Sequence, residues 1–123
     1  MNSRILIVDD SGLARRRIRA ILEGAGFEVV EAEDGMSALE TYFVHKPDIV
    51  LLDLVMNGMY GLEVLARLRE MDPAARVIVV SADIQTSSHE LVADGGAAGF
   101  LVKPVDANEV LTLVRSTLAG SEP

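Results

Sequence analysis

Cysteine is absent from the sequence. That single absence removes disulfide frameworks, thiolate zinc sites and cysteine nucleophiles together. Tryptophan is absent too, and Phe and Tyr bring the aromatic content to only 4%, so stacking of nucleic-acid bases has little support. Basic residues are scarce, 11 against 19 acidic ones, which leaves a net charge of −8. A phosphate backbone would be repelled by such a surface, so nucleic acid is not an expected partner of this domain. Long apolar runs are also missing: 50% of the residues are hydrophobic, yet no run approaches the ~18 residues that a membrane span needs. Met1-Asn2-Ser3-Arg4 leads directly into a short apolar segment, without the apolar region and small-residue cleavage site of a secretory signal. A cytoplasmic protein that does not engage a membrane is the expectation.

What is present is enough for one domain. A chain of 123 residues buries roughly two-thirds of its unfolded surface. Its centre is Asp48-Ile49-Val50-Leu51-Leu52-Asp53, whose four apolar residues leave no polar face, as in a central parallel strand covered on both sides. Before it, Arg4-Ile5-Leu6-Ile7-Val8 reads as a buried strand running into Asp9-Asp10-Ser11-Gly12. Ser11 or Asp10 can cap a helix that carries Ala14, Ile18, Ile21, Leu22 and Ala25 as its apolar stripe. Phe27-Glu28-Val29-Val30-Glu31 alternates like an edge strand. Met36, Leu39, Tyr42 and Phe43 carry a second helix that Lys46-Pro47 ends, with Tyr42 and Phe43 both expected in the core. After Asp53 comes a loop with two glycines, Gly58 and Gly61, then a helix from about Leu62 to Met71 with Val64, Leu65 and Leu68 inward. Arg76 to Ser81 is a fourth strand. A fourth, thin-faced helix is expected over 86–94, and Gly99-Phe100-Leu101-Val102 is a fifth strand before Lys103-Pro104. Val110, Leu111, Val114 and Leu118 define a last amphipathic helix, and 120–123 read as a tail or the start of a linker. Five strands alternating with five helices predict an α/β fold, a parallel sheet with helices on both faces.

In such a sheet the strand ends share one edge, where open α/β sheets place their ligand sites. Asp9, Asp10, Asp53, Ser81 and Lys103 all fall there. Carboxylates gathered at one edge repel each other, and a hard divalent cation such as Mg²⁺, which takes oxygen ligands, relieves that repulsion. If Asp53 attacked phosphorus, the ammonium of Lys103 and the hydroxyl of Ser81 would be placed to stabilise charge on the transferred group.

An acidic pair, a lone Asp, a Ser, an aromatic and Lys-Pro, each at its own strand position, make this sequence resemble the receiver domain of two-component response regulators. The resemblance runs from about Arg4 to Leu118, so that 1–119 is the expected receiver domain. It implies a flavodoxin-like sheet of order 2-1-3-4-5. It implies that Asp53 is the phosphoacceptor, taking a phosphoryl group from a phosphohistidine on a sensor histidine kinase or histidine phosphotransfer protein. Asp10, Asp53 and the backbone carbonyl of Val55 would bind Mg²⁺, with Asp9 acting through water. Lys103 would pair with Asp53 and then with a phosphoryl oxygen, while Ser81 and Phe100 would form the switch. Such a domain is not a conventional enzyme, although it catalyses its own phosphorylation and dephosphorylation. The resemblance also implies a surface of the fourth helix, fifth strand and last helix that serves an output domain or downstream protein, and admits a homodimer on phosphorylation. The Lys103-Pro104 bond would be cis.

Departures stand beside these matches. Asn57 occupies a position where the family usually has Pro, and Tyr60 one where it has a small or acidic residue. Val55 and Asp83 fall where the family controls access of water to the phosphoryl group, which predicts an altered lifetime. Each residue alone has a plainer reading: Asp9-Asp10 as a helix cap, Asp53 as a cap or turn, Ser81 as a satisfied hydroxyl, Lys103-Pro104 as a turn and Phe100 as core. Their joint occurrence in order is what favours a site. A haloacid-dehalogenase-type phosphohydrolase would need Asp where Val55 stands, and a dinucleotide site would need glycines where Asp9-Asp10 stands. A receiver-like module that is never phosphorylated is the remaining alternative. Arg15, Arg16, Arg17 and Arg19 form a basic run that is either a solvated face or a docking surface for the phosphodonor. His45 and His89 are expected at the surface.

Overall fold

Five strands, Arg4–Val8 (β1), Glu28–Ala32 (β2), Ile49–Asp53 (β3), Val77–Ser81 (β4) and Gly99–Val102 (β5), pair in parallel in the order β2-β1-β3-β4-β5. The structure is a computed structural model that describes residues 2–56, 61–82 and 95–120. Among them are four helices: Gly12–Gly24 (α1), Gly35–His45 (α2), Gly61–Met71 (α3) and Ala107–Leu118 (α4). The helix expected over 86–94 lies outside the described residues, as do Asn57, Tyr60, Asp83 and His89. The expected sheet and its order are borne out, and the strands begin and end within a residue of where the sequence pattern places them.

Strand periodicity divides the core in two. Ile5, Ile7, Ile49, Leu51, Ile78, Val80 and Leu101 face one side, where Ile18 and Leu22 of α1 and Val110 and Val114 of α4 cover them. Leu6, Val8, Val50, Leu52 and Val77 face the other, under Ala38 and Tyr42 of α2 and Val64, Leu65 and Leu68 of α3. Because β1, β3 and β4 lie inside the sheet with helices on both faces, all their residues must be apolar until the strands stop. Polar side chains can therefore enter only at the ends.

The expectation for Tyr42 and Phe43 holds for one of the two. Tyr42 is 7% exposed and donates its hydroxyl to Asp72 Oδ2 at 2.7 Å, whereas Phe43 is 70% exposed. Adjacent helical positions point about 100° apart, so only one of two successive aromatics can follow the buried stripe. Gly61 has a role that the loop pattern did not express. A Cβ there would lie 2.4 Å from Leu54 Cα and 2.6 Å from the Asp53 carbonyl oxygen. Only glycine allows the start of α3 to come this close to the end of β3, and the Gly61 amide uses that approach to bond Leu54 O at 2.9 Å.

Candidate functional site

β1 and β3 are neighbours in register, Val8 opposite Leu52, so the next residue on each brings Asp9 beside Asp53. Asp9 continues the Ile5–Ile7 face and Asp53 the Ile49–Leu51 face, the side covered by α1 and α4. Lys103 follows Leu101 at the same parity. Its Nζ lies 2.7 Å from Asp9 Oδ2 and 3.4 Å from Asp53 Oδ2. The sequence reading pairs Lys103 with Asp53. Asp9, at the end of a strand three places from β5 in the sheet order, is the nearer partner.

The turn after β1 is built by local hydrogen bonds. Ser11 caps α1 by accepting from the Ala14 amide at 3.2 Å. Asp9 Oδ1 accepts from the Ser11 amide at 2.9 Å. Asp10 projects at the surface beside this turn, and carboxylate oxygens of Asp9, Asp10 and Asp53 all lie within 4.8 Å of one another. The donor set is oxygen only and anionic, which suits a hard divalent cation in place of a soft metal.

Asp9 is 2% and Asp53 6% exposed, so their charges are poorly hydrated. Burial raises the Asp53 pKa above the usual carboxylate value, and the nearby charge of Asp9 adds to this; the Lys103 ammonium and the Val55 amide, 3.3 Å from Asp53 Oδ1, pull it back only in part. Burial opposes the charge of Lys103 as well, but the bond to Asp9 and the charges of both acids outweigh it and raise its pKa. The amine is therefore cationic across the physiological range.

Of the remaining expected site residues, Ser81 and Val55 fall at the same edge, and Phe100 lies inside β5 opposite Val79. Ser81 ends β4, 1% exposed, and its main-chain oxygen accepts from the Lys103 amide at 2.9 Å. The Lys103-Pro104 peptide bond is cis, as the resemblance implies. Phe100 is half-buried against Leu54 and Val79. Val55, two residues after Asp53, is exposed. His45 is at the surface. The basic run on α1 is largely committed within the fold. Arg15 and Arg19 both pair with Glu31, and Arg17 donates to the Val105 carbonyl at 3.1 Å. Sequence reasoning treated these arginines as one patch. The tasks of Arg15 and Arg19 depend on β2 and that of Arg17 on the segment after β5, and helical periodicity reveals neither.

Comparison with known proteins agrees with this geometry. The sequence model of the response regulator receiver domain matches residues 5–115. The chain is 44% identical over 119 residues to the chemotaxis protein CheY of Bacillus subtilis, covering 96% of this chain and 99% of that one. A CheY-like receiver domain protein from Methanospirillum hungatei has a TM-score of 0.92 at 26% identity, over 98% of this chain and 96% of the other. The structure of a CheX-CheY-BeF3-Mg+2 complex from Borrelia burgdorferi matches with a TM-score of 0.90 at 36% identity, over 94% and 88% of the two chains. No helix among the described residues is long and apolar enough to cross a membrane. With acids at the ends of β1 and β3, a lysine after β5 that reaches both, and a sequence match over most of its length, the chain belongs to the response regulator receiver domain family of two-component signalling.

Proposed function

We propose that Asp53 is the phosphoacceptor of this receiver domain and that a phosphohistidine on a sensor histidine kinase or phosphotransfer protein is its donor. One observation carries the reading: Lys103 Nζ sits between the buried carboxylates of Asp9 and Asp53 at the carboxyl edge of the sheet. An Asp53 oxygen attacks phosphorus, the phosphorus–nitrogen bond breaks, and its electron pair stays on the imidazole. An acyl phosphate forms on Asp53, and attack of water on phosphorus later releases phosphate and restores the carboxylate. Both reactions are catalysed by the domain's own residues.

Asp53 needs no general base, since an ionised carboxylate is already a nucleophile. Lys103 neutralises the buried acids before the transfer and faces the added phosphoryl oxygens after it. Asp10, Asp53 and the Val55 carbonyl, with Asp9 behind them, would hold Mg²⁺, which supplies charge neutralisation for the transferred group. The oxygen-only cluster supports this assignment, as does the Borrelia neighbour solved with BeF3 and Mg²⁺. Ser81 and Phe100 form the switch: the Ser81 hydroxyl bonds the phosphoryl group, and Phe100 moves from its half-buried place against Val79 toward the space Ser81 leaves. A groove of about 400 Å³ between β5 and α4, edged by Phe100, Leu101 and Leu113, adjoins that residue. It is the surface assigned to a downstream protein, an output domain or a second copy. Residues 1–119 are the receiver unit, with 120–123 a tail or linker start, in keeping with the match over 5–115 and the end of α4 at Leu118.

Incubation with acetyl phosphate or phosphoramidate and Mg²⁺, read by intact mass, tests the assignment. Wild-type protein gains one phosphoryl group and Asp53→Asn gains none. Equal gain in both places the acceptor elsewhere, and no gain in either refutes the phosphoacceptor reading.

A further inference from the structure

Arg15 is not one of the clustered site residues, yet it grips the backbone of one of them. Its NH1 donates to the Asp9 main-chain carbonyl at 2.6 Å, and its Nε donates to Glu31 Oε1 on β2 at 2.8 Å. Glu31 is bonded in turn by Arg19, which also reaches Glu23 at 3.1 Å. The Arg15 and Glu31 side chains are largely buried, at 17% and 24% exposure.

Local energetics does not call for an arginine at this place. No acid occupies the first turn of α1, and a cation near a helix N-terminus works against the helix dipole. A guanidinium close to a cation site also repels the cation. The geometric gain lies in Asp9. Its amide donates to Ala32 O at 3.2 Å, its Oδ1 accepts from Ser11 and its Oδ2 from Lys103. Arg15 supplies the hold on the atom left over, the carbonyl, at the point where the chain leaves β1 for Asp10. Glu31 fixes the guanidinium in direction and offsets its charge.

We propose that Arg15, locked by Glu31, is a positioning residue for the divalent-cation site, holding the turn after β1 so that Asp9 and Asp10 face Asp53. This rests on the magnesium reading above. The sign of one measurement separates positioning from bystander charge. Removing a bystander cation tightens Mg²⁺ binding, whereas removing a positioning contact weakens it. Calorimetric titration of the full chain with Mg²⁺, beside urea unfolding in the same buffer, reads both affinity and foldedness. Arg15→Met is expected to raise the Kd for Mg²⁺ about tenfold, the lower end for groups that orient metal ligands. Arg15→Lys keeps the charge but lacks the planar fork that spans two acceptors, and weakens binding as well. Arg19→Gln, which leaves the Asp9 contact in place, changes Kd less than twofold on the same ground. Glu31→Gln weakens binding and serves as the second variant should Arg15→Met fold poorly. An unchanged or lower Kd in folded Arg15→Met, or an equal loss in Arg19→Gln, overturns the proposal. Wild-type protein that binds no Mg²⁺ overturns the magnesium reading together with it, so the two failures are distinguishable.

Discussion

Replacing Asp53 by Asn tests the electrostatics of the site without any donor or partner. At an effective dielectric constant of about 20, Lys103 at 3.4 Å attracts Asp53 by roughly 5 kcal/mol. Asp9, with carboxylate oxygens within 4.8 Å, repels it by roughly 3.5 kcal/mol or more on the same scale. Screened repulsion from Asp10 brings the two close to balance, so the cost of burying an ionised carboxylate decides the sign. In metal-free buffer at neutral pH, Asp53→Asn should therefore stabilise the fold by about 1 to 2 kcal/mol, or about 5 °C in Tm. The effect depends on pH in a defined direction. The folded protein holds the Asp53 proton more tightly than the unfolded chain does, so the contribution of Asp53 to stability is greatest below the ordinary value of 3.8 and is lost as pH rises through the raised folded value. The advantage of Asn thus grows from about pH 4 upward and shrinks when Mg²⁺ is added, because Mg²⁺ stabilises the wild type more. Lys103→Met should act oppositely, destabilising by about 3 kcal/mol at neutral pH, since it leaves buried acids without their cation. Urea unfolding of the three proteins with EDTA or with Mg²⁺ measures all of this. A metal-free Asp53→Asn protein less stable than wild type at neutral pH would refute the balance drawn here.

Two further outcomes follow from contacts outside the cluster. Gly61→Ala drives a Cβ into the backbone of Leu54 and Asp53; urea unfolding should show a loss of about 2 to 3 kcal/mol, and phosphorylation by acetyl phosphate should slow, with a loss below about 0.5 kcal/mol contradicting the close approach. Of the two tyrosines in the chain, Tyr42 should ionise late: burial and its hydrogen bond to Asp72 push its pKa to about 12. Ultraviolet titration should show this late step in wild type and lose it in Tyr42→Phe, and the support Tyr42 gives the fold should disappear as pH climbs from about 10 to about 12.

Period and punctuation made most of this molecule legible before any coordinates. Ile49 to Leu52 are apolar throughout because a strand with helices on both faces has no solvated side, and that same rule makes the acid after them conspicuous. Asp9, Asp53 and Lys103 could be assigned to one edge because parallel strands all end at the same side. Which acid the amine prefers was another matter. Lys103 is separated from Asp9 by 94 positions and from Asp53 by 50, and the choice between them depends on sheet order and register, which are set by packing between distant segments. The tasks of Arg15, Glu31 and Gly61 were hidden for the same reason. An arginine on a helix reads as solvated until β2 is laid beside it, and a loop glycine reads as a turn until the chain leaving β3 places Leu54 Cα 2.4 Å from its missing Cβ. Strand ends and their chemistry are local properties that a chain carries in its order of residues; hydrogen bonds between segments exist only once the hydrophobic layers have fixed where each segment lies.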